Sequence, residues 1–341
     1  MPPHSQRAVV ITAPGGPEVL VHKPDWPLPR ELAADEVLIA VAAAGINRHD
    51  CNQRAAGPSR EPNPVPGLEV SGKIVACGSH VRADRLGQPV VALTDGGGYA
   101  EYVATDASLA LPLPDNLDWI AGAALPEAMF TAWFNFFELM RMQAGETALI
   151  HGGTSGVGTI AVQLLRELGH NVFATAGTPE KRELAIRLGY RAAFDYADRN
   201  LSDYVREATA GKGVDVILDT SGGAHLSGDL QSLARGGRIS FLSAGGGKEI
   251  PVSLRALMGR QASLTGAFLR STPLETKRRI AAALLTTVWP LVGERIVPLI
   301  SRTYPLMQAS SAHAFMESNS HMGKLVLELD TRDPGSAYLQ K

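Results

Sequence analysis

The amino-terminal third of the chain alternates between short apolar runs and turn residues. The runs RAVVITA, EVLIAVAAAG, LEVSGKIVACG, QPVVALT and GGYAEYVAT are separated by Pro, Gly, Asp and Asn. Short apolar runs bounded by such residues are typical of β-strands. We therefore predict a β-rich region over residues 7–125, in which residues 47–54 alone have helical spacing.

After residue 125 the pattern changes to alternating strands and helices. The predicted strands cover residues 147–152, 171–176, 192–196, 214–219, 238–243 and 262–268, and the helices between them cover 157–168, 179–188, 201–210 and 224–234. This alternation predicts βαβ units, and hence an α/β fold with a doubly wound parallel sheet. The stretch LPEAMFTAWFNFFELM, which leads into it, has helical spacing.

The carboxyl-terminal part contains a predicted helix over 273–291, another over 307–318 and the strand KLVLELD. These elements provide too little apolar surface for a core of their own, so we expect them to rejoin the amino-terminal part. The predicted domains are residues 1–125 with 269–341, and residues 126–268.

Composition and charge exclude several classes of protein. The 341 residues carry a formal net charge of −2, so no global charge favours a nucleic acid or a membrane surface. No apolar run approaches the ~18 residues that cross a bilayer, and the amino terminus lacks the pattern of a secretory signal. Two cysteines are too few for a disulfide framework. We expect a cytoplasmic enzyme.

The stretch HGGTSGVGT holds the most informative turn of the sequence. Its central residues are Gly153, Thr154, Ser155, Gly156, Val157 and Gly158. They follow a predicted strand and open a helix with an apolar stripe, and they match the dinucleotide fingerprint GxGxxG except that Ser155 replaces the second glycine. Backbone amides at such a helix start bind pyrophosphate. The alternative is a tight turn without a ligand, whereas a single-phosphate loop would need a lysine that is absent here.

The end of the next strand, FATAGTPEKRE, indicates which dinucleotide binds. NAD-specific folds place an Asp or Glu there for the ribose 2′-hydroxyl. Here Gly177 and its neighbours carry no carboxylate, and Lys181 and Arg182 begin the following helix. The sequence therefore favours NADPH over NADH, with solvated helix cations as the alternative.

Six stretches carry a resemblance to a known family. They are GINRHDCNQR, PGLEVSGKIVACG, GGGYAEYV, LPEAMFTAWFNFF, LIHGGTSGVGTIAVQL and MGKLVLEL. With them the chain resembles the zinc-free, zeta-crystallin-like quinone oxidoreductases of the medium-chain dehydrogenase/reductase superfamily, and within these the tumour-suppressor-inducible branch. The resemblance implies a GroES-like catalytic domain, a Rossmann domain and a homodimer with residues 263–268 as a candidate edge.

The resemblance also implies a set of cofactor-binding residues. Asn47 and Thr131 would lie near the nicotinamide, Ser155 to Gly158 would lie against the pyrophosphate, and Gly177, Lys181 and Tyr196 would surround the adenosine 2′-phosphate. The rest of the groove would be lined by Ser221, Ser243, Ala244, Gly245, Phe268 and Leu269, and closed by Asn319 and Lys324. His49 and Asp50 are candidates on the substrate side, with capping of the short helix after Asn47 as the alternative.

Two departures from relatives affect the expected chemistry. Zinc-dependent relatives carry Cys where Asn47 stands and His where Leu68 stands, and a three-ligand zinc site cannot lose two ligands. We therefore expect no metal. The segment RAAGPSREPNPVPG also lacks the tyrosine usual in quinone reductases of this type.

The resulting functional hypothesis is NADPH-dependent reduction of quinones or related conjugated carbonyl compounds by hydride transfer. One alternative is an enoyl-type reductase acting on an activated alkene. Another is a non-catalytic NADPH-binding protein.

Overall fold

The chain folds into two compact units in the computed structural model, which describes residues 4–60, 63–244 and 249–329. The β-rich unit comprises Met1–Ala128 and Lys277–Lys341, and the α/β unit comprises Met129–Thr276. The sequence predicts domain boundaries after residues 125 and 268, whereas the boundaries between the compact units fall after Ala128 and Thr276. No helix within the described residues is long and apolar enough to cross a membrane.

The β-rich unit begins with seven strands and two short helices. They are β1 (Ser5–Ile11), β2 (Leu20–Pro27), β3 (Glu36–Ile46), α1 (Arg48–Ala56), β4 (Glu69–Cys77), β5 (Pro89–Leu93), β6 (Tyr102–Asp106), β7 (Ala110–Pro112) and α2 (Trp119–Ala123). Strands β1 and β2 pair antiparallel. Strand β3 is central, because it pairs with both β4 and β6 and is buried from Val37 to its end. Its last residue, Ile46, leads directly into the candidate site.

The α/β unit is built on a six-stranded sheet whose paired strands run parallel. Its elements are α3 (Pro126–Trp133), β8 (Thr147–His151), α4 (Gly156–Glu167), β9 (Asn171–Thr175), α5 (Pro179–Leu188), β10 (Ala193–Phe194), α6 (Leu201–Ala208), β11 (Val214–Asp219), α7 (Leu226–Ser232), β12 (Leu233–Phe241), α8 (Leu254–Arg260) and β13 (Ser263–Gly266). The strand order is β10-β9-β8-β11-β12-β13. The chain reverses direction across the sheet after β10, so β8 and β11 flank the topological switch point where this fold binds ligands. This confirms the predicted doubly wound fold.

The carboxyl-terminal elements complete the sheet of the β-rich unit. They are α9 (Leu274–Thr287), β14 (Ile300–Pro305), α10 (Ala309–Glu317) and β15 (Lys324–Glu328). Strand β15 pairs antiparallel with β3 and parallel with β14, which gives the order β14-β15-β3-β4-β5-β7 with β6 also on β3. The end of the chain therefore lies beside the end of β3.

Several predicted elements differ in length from those observed. The helix predicted after residue 125 is α-helical only to Trp133 and continues as a π-helix over Phe134–Leu139. The helix predicted over 273–291 ends at Thr287, and helices α2 and α8 were not predicted. Helices of five and seven residues span at most about two turns, too short for a clear apolar stripe.

Candidate active site

The glycine turn joins β8 to α4 at the carboxyl end of the sheet. The amides of Gly152 and Gly153 donate to the carbonyl of Thr175 at the end of β9, at 3.1 and 3.0 Å. Ser155 caps α4, since its Oγ accepts from the amide of Gly158 at 3.1 Å. The first amides of a helix have no acceptor within it, so those of Gly156 and Val157 can bind an anion.

The absence of side chains at two of these glycines is required by the turn itself. A Cβ at Gly158 would lie 2.6 Å from the carbonyl oxygen of Gly152, and one at Gly153 would lie 2.5 Å from the Cβ of Ala174. The hydroxyl of Tyr190 also donates to the carbonyl of Gly158 at 2.8 Å. Close packing of helix on strand thus brings the helix start to the sheet edge, in a form that fits a pyrophosphate.

The region beyond β9 contains the residues predicted to surround the 2′-phosphate. Tyr196 lies over Gly177, where a Cβ would come within 2.6 Å of the tyrosine hydroxyl. Thr178 caps α5, with its Oγ1 accepting from the amide of Lys181 at 3.3 Å. The Arg182 guanidinium forms an ion pair with Asp195 at 2.9 Å. Lys181 is half-buried.

The remaining predicted cofactor-binding residues of the α/β unit range from buried to exposed. The amide and hydroxyl of Ser221 donate to Asp219 at 2.5 and 2.6 Å. The others are Thr131 (buried), Thr154 (buried), Ser243 (half-buried), Ala244 (exposed), Phe268 (67% exposed) and Leu269 (buried). Gly245 lies outside the described residues.

In the β-rich unit, Asn47 belongs to a buried charged cluster. The Lys324 ammonium donates to Asn47 Oδ1 at 2.7 Å and to Glu69 Oε1 at 2.5 Å, and Asn47 Nδ2 donates to the same Glu69 oxygen at 2.9 Å. Glu69 is fully buried and Lys324 nearly so. The cluster fixes the orientation of the Asn47 amide. Sequence reasoning missed Glu69, whose one signal is a carboxylate at the start of a buried strand.

Asp50 lies directly behind this cluster. Its Oδ2 accepts from the Asn47 amide nitrogen at 2.7 Å and its Oδ1 from the Gly67 amide nitrogen at 3.2 Å. The Tyr99 hydroxyl lies 3.1 Å from both Asp50 Oδ2 and His313 Nε2. Burial raises the pKa of the Asp50 carboxyl to about 6, against these hydrogen bonds and the Lys324 charge. Asp50 is fully buried and caps α1 through its bond to the Asn47 amide nitrogen.

Two further predicted residues lie near the surface. His49 is half-buried on α1. Asn319 has a positive φ of 56°, and its Oδ1 accepts from the Arg48 guanidinium at 2.5 Å. This contact joins α1 to the segment after α10.

The donor set around Asn47 does not fit a catalytic zinc. An amide replaces the thiolate expected at this position, Leu68 is a buried apolar side chain, and a lysine ammonium contacts the amide oxygen. Within residues 4–60, 63–244 and 249–329, no group of three or more His, Cys, Asp or Glu could hold a metal ion.

Comparisons with known proteins agree with this fold. Residues 33–115 match the alcohol dehydrogenase GroES-like domain family, and residues 156–286 match the zinc-binding dehydrogenase family. Rat quinone oxidoreductase is 34% identical over 330 residues, covering 95% of this chain and 98% of the relative. A mycobacterial protein solved in complex with NADPH superposes with a TM-score of 0.81 at 30% identity, covering 94% of this chain and 99% of that one. The CurK enoyl reductase gives the same TM-score at 25% identity, covering 95% and 99%.

The fold and the matches define an oxidoreductase of the medium-chain dehydrogenase/reductase superfamily. Within it, the chain belongs to the quinone oxidoreductases. This confirms the resemblance inferred from the sequence at the level of the family.

Proposed function

We propose that the protein reduces quinones and related conjugated carbonyl compounds, enones among them, with NADPH and without a metal. The proposed binding of a dinucleotide rests mainly on the turn between β8 and α4. Its closely packed glycines leave the first amides of α4 available to a pyrophosphate. The full-length similarity to quinone oxidoreductases and to a protein that binds NADPH supports the same conclusion. When bound, NADPH supplies the hydride.

The choice of NADPH rests on the surroundings of Gly177. The residues that follow β9, Ala176 to Thr178, carry no carboxylate to repel a 2′-phosphate, Tyr196 covers Gly177, and Lys181 lies in the first turn of α5. We assign the 2′-phosphate to these residues. The pyrophosphate is assigned to the turn from Gly153 to Gly158.

The other cofactor contacts are proposed from the resemblance. Asn47 and Thr131 are assigned to the nicotinamide. Ser221, Ser243, Ala244, Gly245, Phe268, Leu269 and Asn319 are assigned to the rest of the groove. Lys324 acts on the cofactor indirectly, since its ammonium contacts Asn47 and Glu69 and orients the amide.

The cluster of Asn47, Glu69 and Lys324 supports the proposed independence from zinc. A buried ammonium at hydrogen-bond distance from the side chain of residue 47 is incompatible with a divalent cation bound to that side chain. Prolonged treatment with EDTA or phenanthroline should therefore leave turnover unchanged. Stoichiometric zinc in the purified protein would contradict the proposal.

An acceptor screen tests the reaction. NADPH oxidation, followed by its near-ultraviolet absorbance, should be fast with 1,2-naphthoquinone and slow with a 2-enoyl thioester. Quinones can be protonated from solvent after hydride transfer, so no dedicated acid is required, whereas an alkene needs a proton at the α-carbon. The reverse order of rates would indicate an enoyl-type reductase, which the likeness to CurK makes the second candidate. Normal NADPH binding without turnover across the panel would indicate a binding protein.

We further propose a homodimer formed through β13. This strand ends the order of the six-stranded sheet and pairs only with β12 among the described strands. Nearby in sequence, Leu254 and Met258 of α8 are 66% and 75% exposed. Sedimentation should give twice the chain mass, and the double variant Leu254→Glu/Met258→Glu should shift it toward the monomer. The control is Leu86→Glu, an exposed leucine of the β-rich unit, and equal masses for both variants would argue against this interface.

We place the protein in the cytoplasm. Its two cysteines, Cys51 and Cys77, are free, as expected where thiols stay reduced. Cell fractionation with antibodies to the protein tests this location.

A further inference from the structure

Three aromatic rings lie in contact at the carboxyl edge of the parallel sheet. The His225 ring is 5.1 Å from that of His151 and 5.6 Å from that of Tyr196, measured between centroids, with interplanar angles of 38° and 39°. His151 ends β8, His225 is the residue before α7, and Tyr196 follows β10. The three rings thus run from the buried interior of the sheet to a side chain that is 46% exposed.

The inner end of this row is a buried histidine–aspartate pair. The His151 ring contacts Thr175 Oγ1 at 2.9 Å and Asp229 Oδ1 at 2.8 Å through its two nitrogens. Burial opposes a charge on His151, but the hydrogen bond and charge of Asp229, with Asp219, outweigh burial and raise its pKa. Asp229 therefore favours the protonated form of the ring that lies beneath His225.

His225 itself is held toward the neutral form. Burial lowers its pKa, the charge of His151 lowers it further, and the carboxylates of Asp229 and Asp219 oppose that effect. These three residues, with the Tyr196 ring, are the titratable groups that face His225 from β8, α7, β11 and the segment after β10. An additional negative charge nearby would shift His225 toward the charged form.

The outer end of the row lies where the proposed cofactor carries such a charge. Tyr196 covers Gly177, which follows β9, and the fold places the adenosine ribose at the end of this strand. The 2′-phosphate of NADPH has a charge close to −2, whereas NADH has a hydroxyl at the same position. This step rests on the proposed use of NADPH.

We propose that His225 is a specificity-determining residue for the cofactor. Its ring supports Tyr196 beside the 2′-phosphate, and it takes up a proton from the buffer when NADPH binds but not when NADH binds. NADPH affinity then rises as pH falls toward 6, by up to about tenfold per pH unit for one full proton. Ionisation of the phosphate in free NADPH works against this trend and is the same for every variant.

Calorimetric titration tests the proposal. Binding heats measured in two buffers of different ionisation enthalpy give the protons taken up per cofactor, for NADPH and for NADH. Wild type should take up more protons with NADPH than His225→Phe does, because phenylalanine keeps the ring contact and cannot titrate. His225→Asn keeps a residue suited to the start of α7 but loses the ring, so it should bind NADPH several-fold more weakly as well. His80→Phe, an exposed histidine of the β-rich unit, should behave as wild type.

The possible failures are distinguishable. Unchanged NADH affinity shows that each variant is folded. Equal proton uptake by wild type and His225→Phe, with NADPH still preferred over NADH, would overturn the role of His225 and leave the proposed function standing. A wild type that binds NADPH no more tightly than NADH would overturn the cofactor proposal and, with it, this inference.

Discussion

Buried polar residues determine the chemistry of the β-rich unit. Glu69 and Lys324 form an ion pair with almost no exposure, and Asp50 is fully buried against backbone amides. Removing one member of such a pair leaves an uncompensated buried charge, which is strongly destabilising. These residues therefore maintain the geometry of Asn47.

Asp50 and His313 both contact the Tyr99 hydroxyl, and they make the free energy of unfolding depend on pH in opposite directions. Burial raises the Asp50 pKa to about 6, so its contribution is present below its ordinary pKa and is lost as pH rises through 6. Burial and the charges of Arg54 and Arg48 lower the His313 pKa to about 3, so its contribution is present above its ordinary pKa and is lost as pH falls. Between about pH 4 and 6 the two groups change the free energy of unfolding with pH by similar amounts and with opposite sign, so their effects cancel.

Replacing Asp50 with Asn should remove the pH dependence that the Asp50 carboxyl contributes and leave that of His313. The Asp50→Asn variant should then lose stability relative to wild type as pH falls from 6 to 4, by about 3 kcal/mol in total. Urea unfolding at several pH values measures the difference. His313→Phe should change in the opposite direction, gaining on wild type at low pH. If the free energies of unfolding of Asp50→Asn and wild type changed equally with pH between 6 and 4, the raised pKa of Asp50 would be refuted.

Lys181 is the residue on which cofactor discrimination can be tested most directly. Lys181→Ala should weaken NADPH binding about 10- to 150-fold, because a hydrogen bond to a charged group contributes about 1.5–3 kcal/mol. NADH lacks the 2′-phosphate, so its affinity should barely change. Parallel titrations at fixed ionic strength measure both, with the exposed Arg187→Ala on the same helix as control. An equal loss for both cofactors would mean that Lys181 acts through folding.

At the scale of elements, local sequence patterns predicted the repeated strands and helices of the α/β unit. Each βαβ unit has its own periodicity and turn residues, so the turn at Gly153 to Gly158 could be found without the structure. The pair of Glu69 and Lys324 could not, because its partners are 255 positions apart and neither neighbourhood shows the other. The π-helix at Phe134–Leu139 also could not be predicted, since its apolar residues continue the helical spacing of α3.

The third glycine of the turn is needed for packing of α4 on the sheet. Gly158→Ala should destabilise the protein by about 1–3 kcal/mol, because its Cβ would meet backbone oxygens at 2.6 and 2.8 Å. Gly228→Ala is the matched control: this glycine lies in α7, and a Cβ there meets nothing within 4 Å. The control should be neutral or slightly stabilising. Thermal unfolding compares them, and equal effects would show that the turn can relax around a methyl group.

On the scale of the whole molecule, the two units differ in continuity. The α/β unit is one stretch of chain, whereas the β-rich unit needs β14 and β15 from beyond it. A fragment comprising residues 126–276 should therefore fold alone and bind NADPH. The fragment 1–276 should fail to form a stable β-rich unit, because β3 loses one of its partner strands, β15, and Glu69 loses Lys324. Amide exchange of both fragments measures this, and strong protection of β3 and β4 in the longer fragment would contradict it.

The placement of β15 beside β3 also determines the order of events on the ribosome. The α/β unit is complete once its residues have left the exit tunnel, and domains generally fold as units during synthesis. Strand β3 is made early but must wait for β15 until almost the whole chain has been translated. During that interval the end of β3, from Ala43 to Ile46, lacks its β15 neighbour. The early strands are therefore expected to be the main binding site for chaperones, and slowing translation should lengthen that dependence.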